Sequence, residues 1–237
     1  MTTHEITDRP SWLSRRLQLL EREKAFMRAK DELARERRAL PWVRLDKEYV
    51  FQGPDGPRSL AEAFGAHSQL LVYHLMFAPG WEAACKSCSF WADHFDACLP
   101  HLSQRDASFV AISRAPLPKL QAYAKRLGWK FEWLSSGEAD FNYDFGVSFR
   151  DEDRAAGRAI YNYAPADSDE SDSPGFSAFY KDSDGAIFHT YSTYGRGIEL
   201  ANATYQLLDL LPKGRDEEAL RFTMGWVRRH DEYPRGA

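Results

Sequence analysis

The chain has 237 residues, 43% of them hydrophobic, enough for one sizeable core and too few to promise two independent domains. A formal net charge of −4 supplies no global attraction to nucleic acid or anionic lipid. No uncharged apolar run approaches the roughly 20 residues that span a bilayer, the first nine residues carry no apolar leader, and three cysteines are too few for a disulfide framework; a cytoplasmic protein with no nucleic-acid and no membrane partner is expected.

From Arg9 to Leu40 the sequence is charged, lacks glycine and stops before Pro41, with Asp8 placed to cap it, which predicts one helix about 45 Å long. Trp12, Leu19, Phe26, Leu33 and Leu40 recur every seven residues with Leu13, Leu20, Met27 and Ala34 beside them. Such a stripe is expected to dock on the chain's own body or on a twin subunit, making the arm a route to a homo-oligomer. Of the 31 Lys and Arg and 35 Asp and Glu, ten and five lie in this arm, leaving 21 against 30 in the rest. The expected organisation is an arm over residues 1–42 and a domain over 43–237, with an acidic loop insertion at 165–175 and C-terminal helices.

Past Pro41 the pattern turns to short elements. Tyr49 to Gln52 reads as a strand, Gly53-Pro54-Asp55-Gly56 as a turn, and Ser59 with Glu62 as a capping box on a short helix closed by Gly65. Gln69 to Phe77 is a nearly continuous apolar run, the signature of a strand buried on both faces. After Pro79-Gly80, a helix is expected from Cys85 to Leu102, with Cys88, Trp91, Phe95, Cys98 and Leu102 on its apolar stripe. Ser108 to Ser113 reads as a second buried strand, Pro116 to Leu127 as a helix ended by Gly128, and Lys130 to Leu134 as a third strand. Asp140 to Phe149 is aromatic and irregular, Phe176–Lys181 and Ala186–Ser192 form a hairpin about Asp184-Gly185, and helices are predicted at Glu199–Leu211 and Asp216–His230. This β-α-β-α-β order predicts an α/β fold, a central mixed sheet flanked by helices, with the strands at 69–77 and 108–113 parallel neighbours.

A buried strand, a loop and then Cys85-Lys86-Ser87-Cys88 at a helix start is the setting of a thioredoxin-like dithiol. The thiolate is the nucleophile, and free N–H groups at a helix N-terminus lower a thiol pKa from about 8.5 towards neutrality. Cys85 is therefore the expected attacker and Cys88, nearly a turn inside, the resolving thiol. Trp81 in the loop, Lys86 as local positive charge, and Ser87 are supporting candidates. Tyr73 and His74, on the strand that feeds the loop, are candidates to donate to or accept from Cys88, against the commoner outcome of a satisfied core residue, and Pro174, just before the hairpin, is expected to be cis and to face the dithiol. Cys98 reads as core. A zinc site on one helix is disfavoured, because His94 lies six residues and about 600° beyond Cys88; a copper site of Cys85, Cys88 and a histidine such as His189 stays open, as do inert packing cysteines. No resident cofactor or metal is expected.

Several stretches resemble one family: Arg22-Glu23-Lys24, Leu40-Pro41-Trp42-Val43, Trp81 with Cys85-Lys86-Ser87-Cys88-Ser89-Phe90-Trp91-Ala92-Asp93, Ile112-Ser113-Arg114-Ala115, His189-Thr190-Tyr191-Ser192-Thr193-Tyr194, and Trp226-Val227-Arg228-Arg229-His230-Asp231-Glu232-Tyr233. Together they look like the DUF899 family over nearly the whole chain. The resemblance implies a thioredoxin-like fold and the activity ascribed to that family, a predicted dithiol-disulfide oxidoreductase, with no substrate attached. The expected function is thiol-disulfide exchange on a protein or small-molecule disulfide, with an external reductant restoring the dithiol. The alternatives are a thiol peroxidase-like enzyme and a non-enzymatic redox-sensing or metal-binding module. Peroxiredoxins carry the pattern PxxxTxxC, whereas Glu82 stands three before Cys85 here, which makes peroxide reduction the lesser expectation.

Overall fold

Asp8 caps the first helix, α1 (Arg9–Ala39), by accepting the Ser11 amide at 2.8 Å, and Arg37 and Arg38 in its last turn suit the negative end of the helix dipole. The computed structural model describes residues 4–166 and 170–234. They fall into two compact units, Met1–Pro41 and Trp42–Ala237. Within the first unit no residue of α1 is buried, so the stripe of Trp12, Leu19, Phe26 and Leu33 finds no partner inside it. Among the described residues no helix is long and apolar enough to cross a membrane.

Among its described residues the second unit has ten strands: β1 (Val43–Arg44), β2 (Val50–Gly53), β3 (Gly56–Ser59), β4 (Gln69–His74), β5 (Ala107–Ser113), β6 (Glu132–Ser135), β7 (Ile160–Tyr161), β8 (Ala164–Pro165), β9 (Gly175–Lys181) and β10 (Ile187–Tyr194). Short helices stand between them: α2 (Leu60–Ala63), α3 (Lys86–Ala92), α4 (Leu99–Ser103), α5 (Leu117–Leu127), α6 (Phe141–Asp144), α7 (Asp151–Ala155) and α8 (Ala203–Leu208). The main sheet runs β1-β10-β9-β4-β5-β6-β2-β3, and β7 pairs with β8 alone. Its centre is parallel, β4 with β5 and β5 with β6, while β9 lies antiparallel to β4 and forms the hairpin with β10. A β-α-β unit extended on one side by an antiparallel hairpin is the thioredoxin-like α/β arrangement, with helices packed on the mixed sheet.

Alternation along β4 divides the interior. Tyr73 belongs to a core cluster with Phe77, Cys88, Trp91, Phe95 and Phe176, whereas Leu70 and Val72 belong to a second cluster with Phe51, Phe64, Phe141 and Phe179. The capping box at Ser59 and Glu62 forms as its residues dictate, and α5 buries Leu120, Tyr123 and Leu127 before Gly128, at φ +71°, ends it.

Several expectations are corrected. The helix predicted over 85–102 is broken into α3, a 3-10 turn (Asp96–Cys98) and α4. The Asp93 carboxylate takes the Trp129 indole N–H at 2.7 Å, and Asp96 takes the amides of Lys130 and Phe131, both at 2.8 Å, so these side chains pin the chain where a straight helix would carry them away. The break turns Cys98 outward: it is exposed, not core. The aromatic stretch 140–149 is ordered instead around α6, with Phe141, Phe145, Val147 and Phe149 buried.

The C-terminal helices are largely absent. Asn202 stops the first by capping α8, its side chain accepting the Tyr205 amide at 3.0 Å. In place of the second, Asp216 and Met224 take positive φ (53° and 65°), and one Glu217 oxygen gathers the Met224 amide, the Trp226 indole and the Tyr205 hydroxyl. In the acidic loop, residues 167–169 lie outside the described residues, but Asp172 and Ser173 are buried, and Arg114 pairs with Asp172 at 2.9 Å while donating to the Tyr143 hydroxyl at 2.7 Å. The end of the expected surface loop is thus part of the interior, directly before Pro174.

Candidate functional site

The chain carries the line of β4 past His74, with Leu75 N–H donating to Ile112 (3.1 Å) and Ala115 N–H to Phe77 (2.8 Å). The loop then returns, and the Cys85 amide donates to the Met76 carbonyl at 3.0 Å. This backbone bond places Cys85 at the end of a central strand and makes it the residue before α3, where its own carbonyl accepts the Ser89 amide at 2.9 Å. Cys85 is half-buried and Cys88, on the inner side of α3, is buried; both are free thiols.

The two sulfurs titrate as a pair. The Cys85 thiol is lowered to about 6, first by a hydrogen bond from the Cys88 thiol, against the opposing effect of burial, and then by the backbone N–H groups of Cys88 and Ser87 and the Ser87 hydroxyl. Cys88 is pushed well up, because its proton is held by Cys85 and because it is buried beside that developing charge. The asymmetry has the sense expected for attacker and resolving thiol, though its largest source is Cys88 itself. Lys86 contributes no comparable effect: its ammonium lies over the Phe222 ring, 5.8 Å from the centroid.

Of the two strand residues, Tyr73 is the one that turns to the dithiol. Its buried hydroxyl donates to the Cys88 carbonyl at 3.2 Å. His74 points to the other side of the sheet, with Nε2 2.8 Å from the Ser177 hydroxyl and its ring against Phe141 and Phe145. Burial, helped by His189, lowers His74 to about 3, so it stays neutral. His189 lies with Phe145 and Phe179 on that same side, bonded to Ser192 at 2.7 Å, so the copper set of Cys85, Cys88 and His189 is not assembled. Among the described residues no three His, Cys, Asp or Glu side chains gather as a metal-holding group.

Cys85, Ser87, Cys88, Tyr73 and Pro174 share the wall of a cavity of about 330 Å³, completed by Met76 and Trp91 and by residues of the 195–224 stretch. Pro174 therefore faces the dithiol, but its peptide bond is trans, as are all those described. The trans form is the favoured one by about 0.5–1 kcal/mol, and the loop is held in it by the Tyr161 hydroxyl on the Pro174 carbonyl (2.7 Å) and the Ser173 amide on Val147 (2.8 Å). Trp81 is not on that wall: it packs on the core from outside, and Lys119 holds its carbonyl at 2.9 Å.

The model of one family matches residues 1–233; its description is "Bacterial protein of unknown function (DUF899)". The chain belongs to this family. A search of curated proteins finds no match. Among solved structures, the chain is similar to peroxidoxin BcpB from Mycobacterium tuberculosis, at 17% identity and a TM-score of 0.45 over 68% of this chain and 93% of that one. It is also similar to peroxiredoxin Q from Xanthomonas campestris, at 15% identity and a TM-score of 0.46 over 68% of this chain and 89% of that one.

Reading the DUF899 chain from sequence missed its C-terminal contribution. Arg229 donates to the Ala84 carbonyl at 2.8 Å and, through Nε, to the Tyr123 hydroxyl at 2.5 Å. Tyr123 is in turn 2.9 Å from the Ser89 hydroxyl, which donates to the Cys85 carbonyl at 2.9 Å. Three side chains, Arg229, Tyr123 and Ser89, thus tie the C-terminal stretch to the carbonyls of Ala84 and Cys85. The signal was present in the shared string Trp226–Tyr233, but nothing in it says which strand or helix it reaches.

Proposed function

We propose that this DUF899 protein carries out thiol-disulfide exchange. Cys85 attacks a disulfide as the thiolate, displacing one thiolate and forming a mixed disulfide; Cys88 then attacks the Cys85 sulfur, releases the second thiolate and leaves a Cys85–Cys88 disulfide, which an external dithiol reduces. The observation that supports this reading is the placement of the pair: a half-buried Cys85 at the start of a helix and a buried Cys88 one turn inside it on the wall of the same cavity, the first thiol lowered to about 6 and the second pushed well up. The arrangement leaves Cys85 ionised at neutral pH and holds Cys88 in reserve as its proton donor. Neutral Tyr73, bonded to the Cys88 carbonyl, holds the start of the helix that carries the two thiols.

The test uses the Cys88→Ser variant with a disulfide substrate. It should accumulate a mixed disulfide on Cys85, seen by peptide mass spectrometry, while Cys85→Ser should form no adduct. If Cys88→Ser traps nothing and the unaltered protein forms no Cys85–Cys88 disulfide under mild oxidation, the exchange reading is wrong.

A further inference from the structure

The cavity beside the thiols has its own chemistry. Trp91, Tyr205, Ile198, Met76 and Met224 give it an apolar and aromatic wall. Four charged side chains also reach it, and each is already engaged. Arg215 pairs with Glu199 at 2.8 Å and with Asp209 at 2.7 Å, and Arg196 pairs with Glu199 at 3.2 Å. Glu217 accepts from the Trp226 indole at 2.6 Å, the Tyr205 hydroxyl at 2.7 Å and the Met224 amide at 2.9 Å. Arg215, Glu199 and Glu217 are thus committed to one another or to their neighbours, while Arg196, with its side chain 88% exposed, is held by solvent more than by Glu199; inside the cavity a charged group loses hydration with no free counter-ion to meet it.

Size narrows the ligand further. At about 330 Å³ the space lies at the low end for small-molecule sites, which run from about 300 to 1,000 Å³. Its outer wall is Thr223 and Met224, from the irregular stretch that Glu217 holds together. A disulfide in a folded protein brings backbone on both sides of each sulfur, more than a space of about 330 Å³ takes in.

We infer that the cavity is the substrate pocket of the dithiol and that it takes small, uncharged, apolar disulfides in preference to charged ones such as oxidised glutathione or to protein disulfides. This rests on the exchange reading above. In the reaction, R–S–S–R and the Cys85 thiolate with the Cys88 thiol become two R–S groups and one Cys85–Cys88 disulfide: the ligand's S–S bond breaks, the protein's forms, the Cys88 proton passes to one released thiolate, and the other takes its proton from solvent.

The experiment mixes the reduced full-length protein with dibutyl disulfide, oxidised glutathione or insulin. Formation of the Cys85–Cys88 disulfide is followed by acid quench and intact mass, and each rate is divided by that of the same reagent with dithiothreitol. The expected result is a normalised rate for dibutyl disulfide about tenfold or more above the other two. Thr223, exposed on its outer side, can be enlarged without disturbing the core, and Thr223→Trp should slow dibutyl disulfide about fivefold or more by filling the space. Oxidised glutathione or insulin reacting fastest, or a Thr223→Trp protein that is folded and unslowed, overturns the inference while leaving exchange intact. No internal disulfide with any of the three reagents overturns the exchange reading itself. The reagent series decides the matter even if Thr223→Trp does not fold.

Discussion

Cys85 owes its lowered pKa mainly to the Cys88 thiol, which separates two substitutions that look alike. Cys88→Ala removes the hydrogen-bond donor, so the pH midpoint for alkylation of Cys85 should rise from about 6 towards the ordinary thiol value; Cys88→Ser keeps an O–H there and should stay nearer to 6. Rates of iodoacetamide labelling between pH 5 and 9 read this directly, and equal midpoints for both variants would contradict it. His74 makes a different prediction. Its folded-state pKa is depressed from 6.5 to about 3 by burial and by His189, so below pH 6.5 the unfolded chain binds a proton that the folded one refuses. Stability should therefore fall as the pH drops from about 6.5 towards 3, and be unaffected by this group above 6.5. Urea unfolding midpoints at pH 7 and pH 5 check the sign; equal midpoints would show that the buried ring does not act as a neutral group.

At the scale of elements, two tertiary contacts hold the site's surroundings. Gly175 opens β9 directly after Pro174, and a Cβ there would lie 2.5 Å from Tyr194 Cδ1 and 3.2 Å from the Thr193 carbonyl. Tyr194 is buried and its hydroxyl is held by the Phe145 carbonyl at 2.8 Å, so it cannot swing aside. Gly175→Ala should cost about 1–3 kcal/mol, measured by chemical denaturation. Glu217 plays the organising part for the irregular C-terminal stretch. Glu217→Ala leaves the Tyr205 hydroxyl, the Trp226 indole and the Met224 amide without their acceptor, with an expected loss of about 1–3 kcal/mol. Hydrogen exchange should show the loss as faster labelling over 214–228 with β4 and β5 unchanged.

For the molecule as a whole, both core clusters are made only of residues from the second unit. A chain beginning at Trp42 should therefore unfold cooperatively on its own, with the alkylation midpoint of Cys85 still at about 6. The same truncated chain, compared with the full one by light scattering, reads whether the arm joins copies. The arm carries ten basic residues against five acidic ones while the rest has 21 against 30, so any association it drives should weaken with added salt.

What the sequence determined by itself is whatever depends on near neighbours along the chain. Asp8 and Ser59 announced their caps, Gly128 its helix end, and the runs at 69–77 and 108–113 the paired central strands. The dithiol at a helix start was legible for the same reason, since Cys85 and Cys88 are held by one turn of backbone. The tertiary structure alone decided what depends on partners distant in sequence. Which of Tyr73 and His74 faces the thiols follows from strand register, and a shift of one residue would exchange them. Whether residues 93–102 continue a helix was settled by Trp129, Lys130 and Phe131 drawing on two aspartates, and the C-terminal stretch by a single glutamate competing with helical hydrogen bonds. Apolar spacing reports which face of an element is buried; it carries no record of which distant donor will capture a carboxylate and stop the helix there.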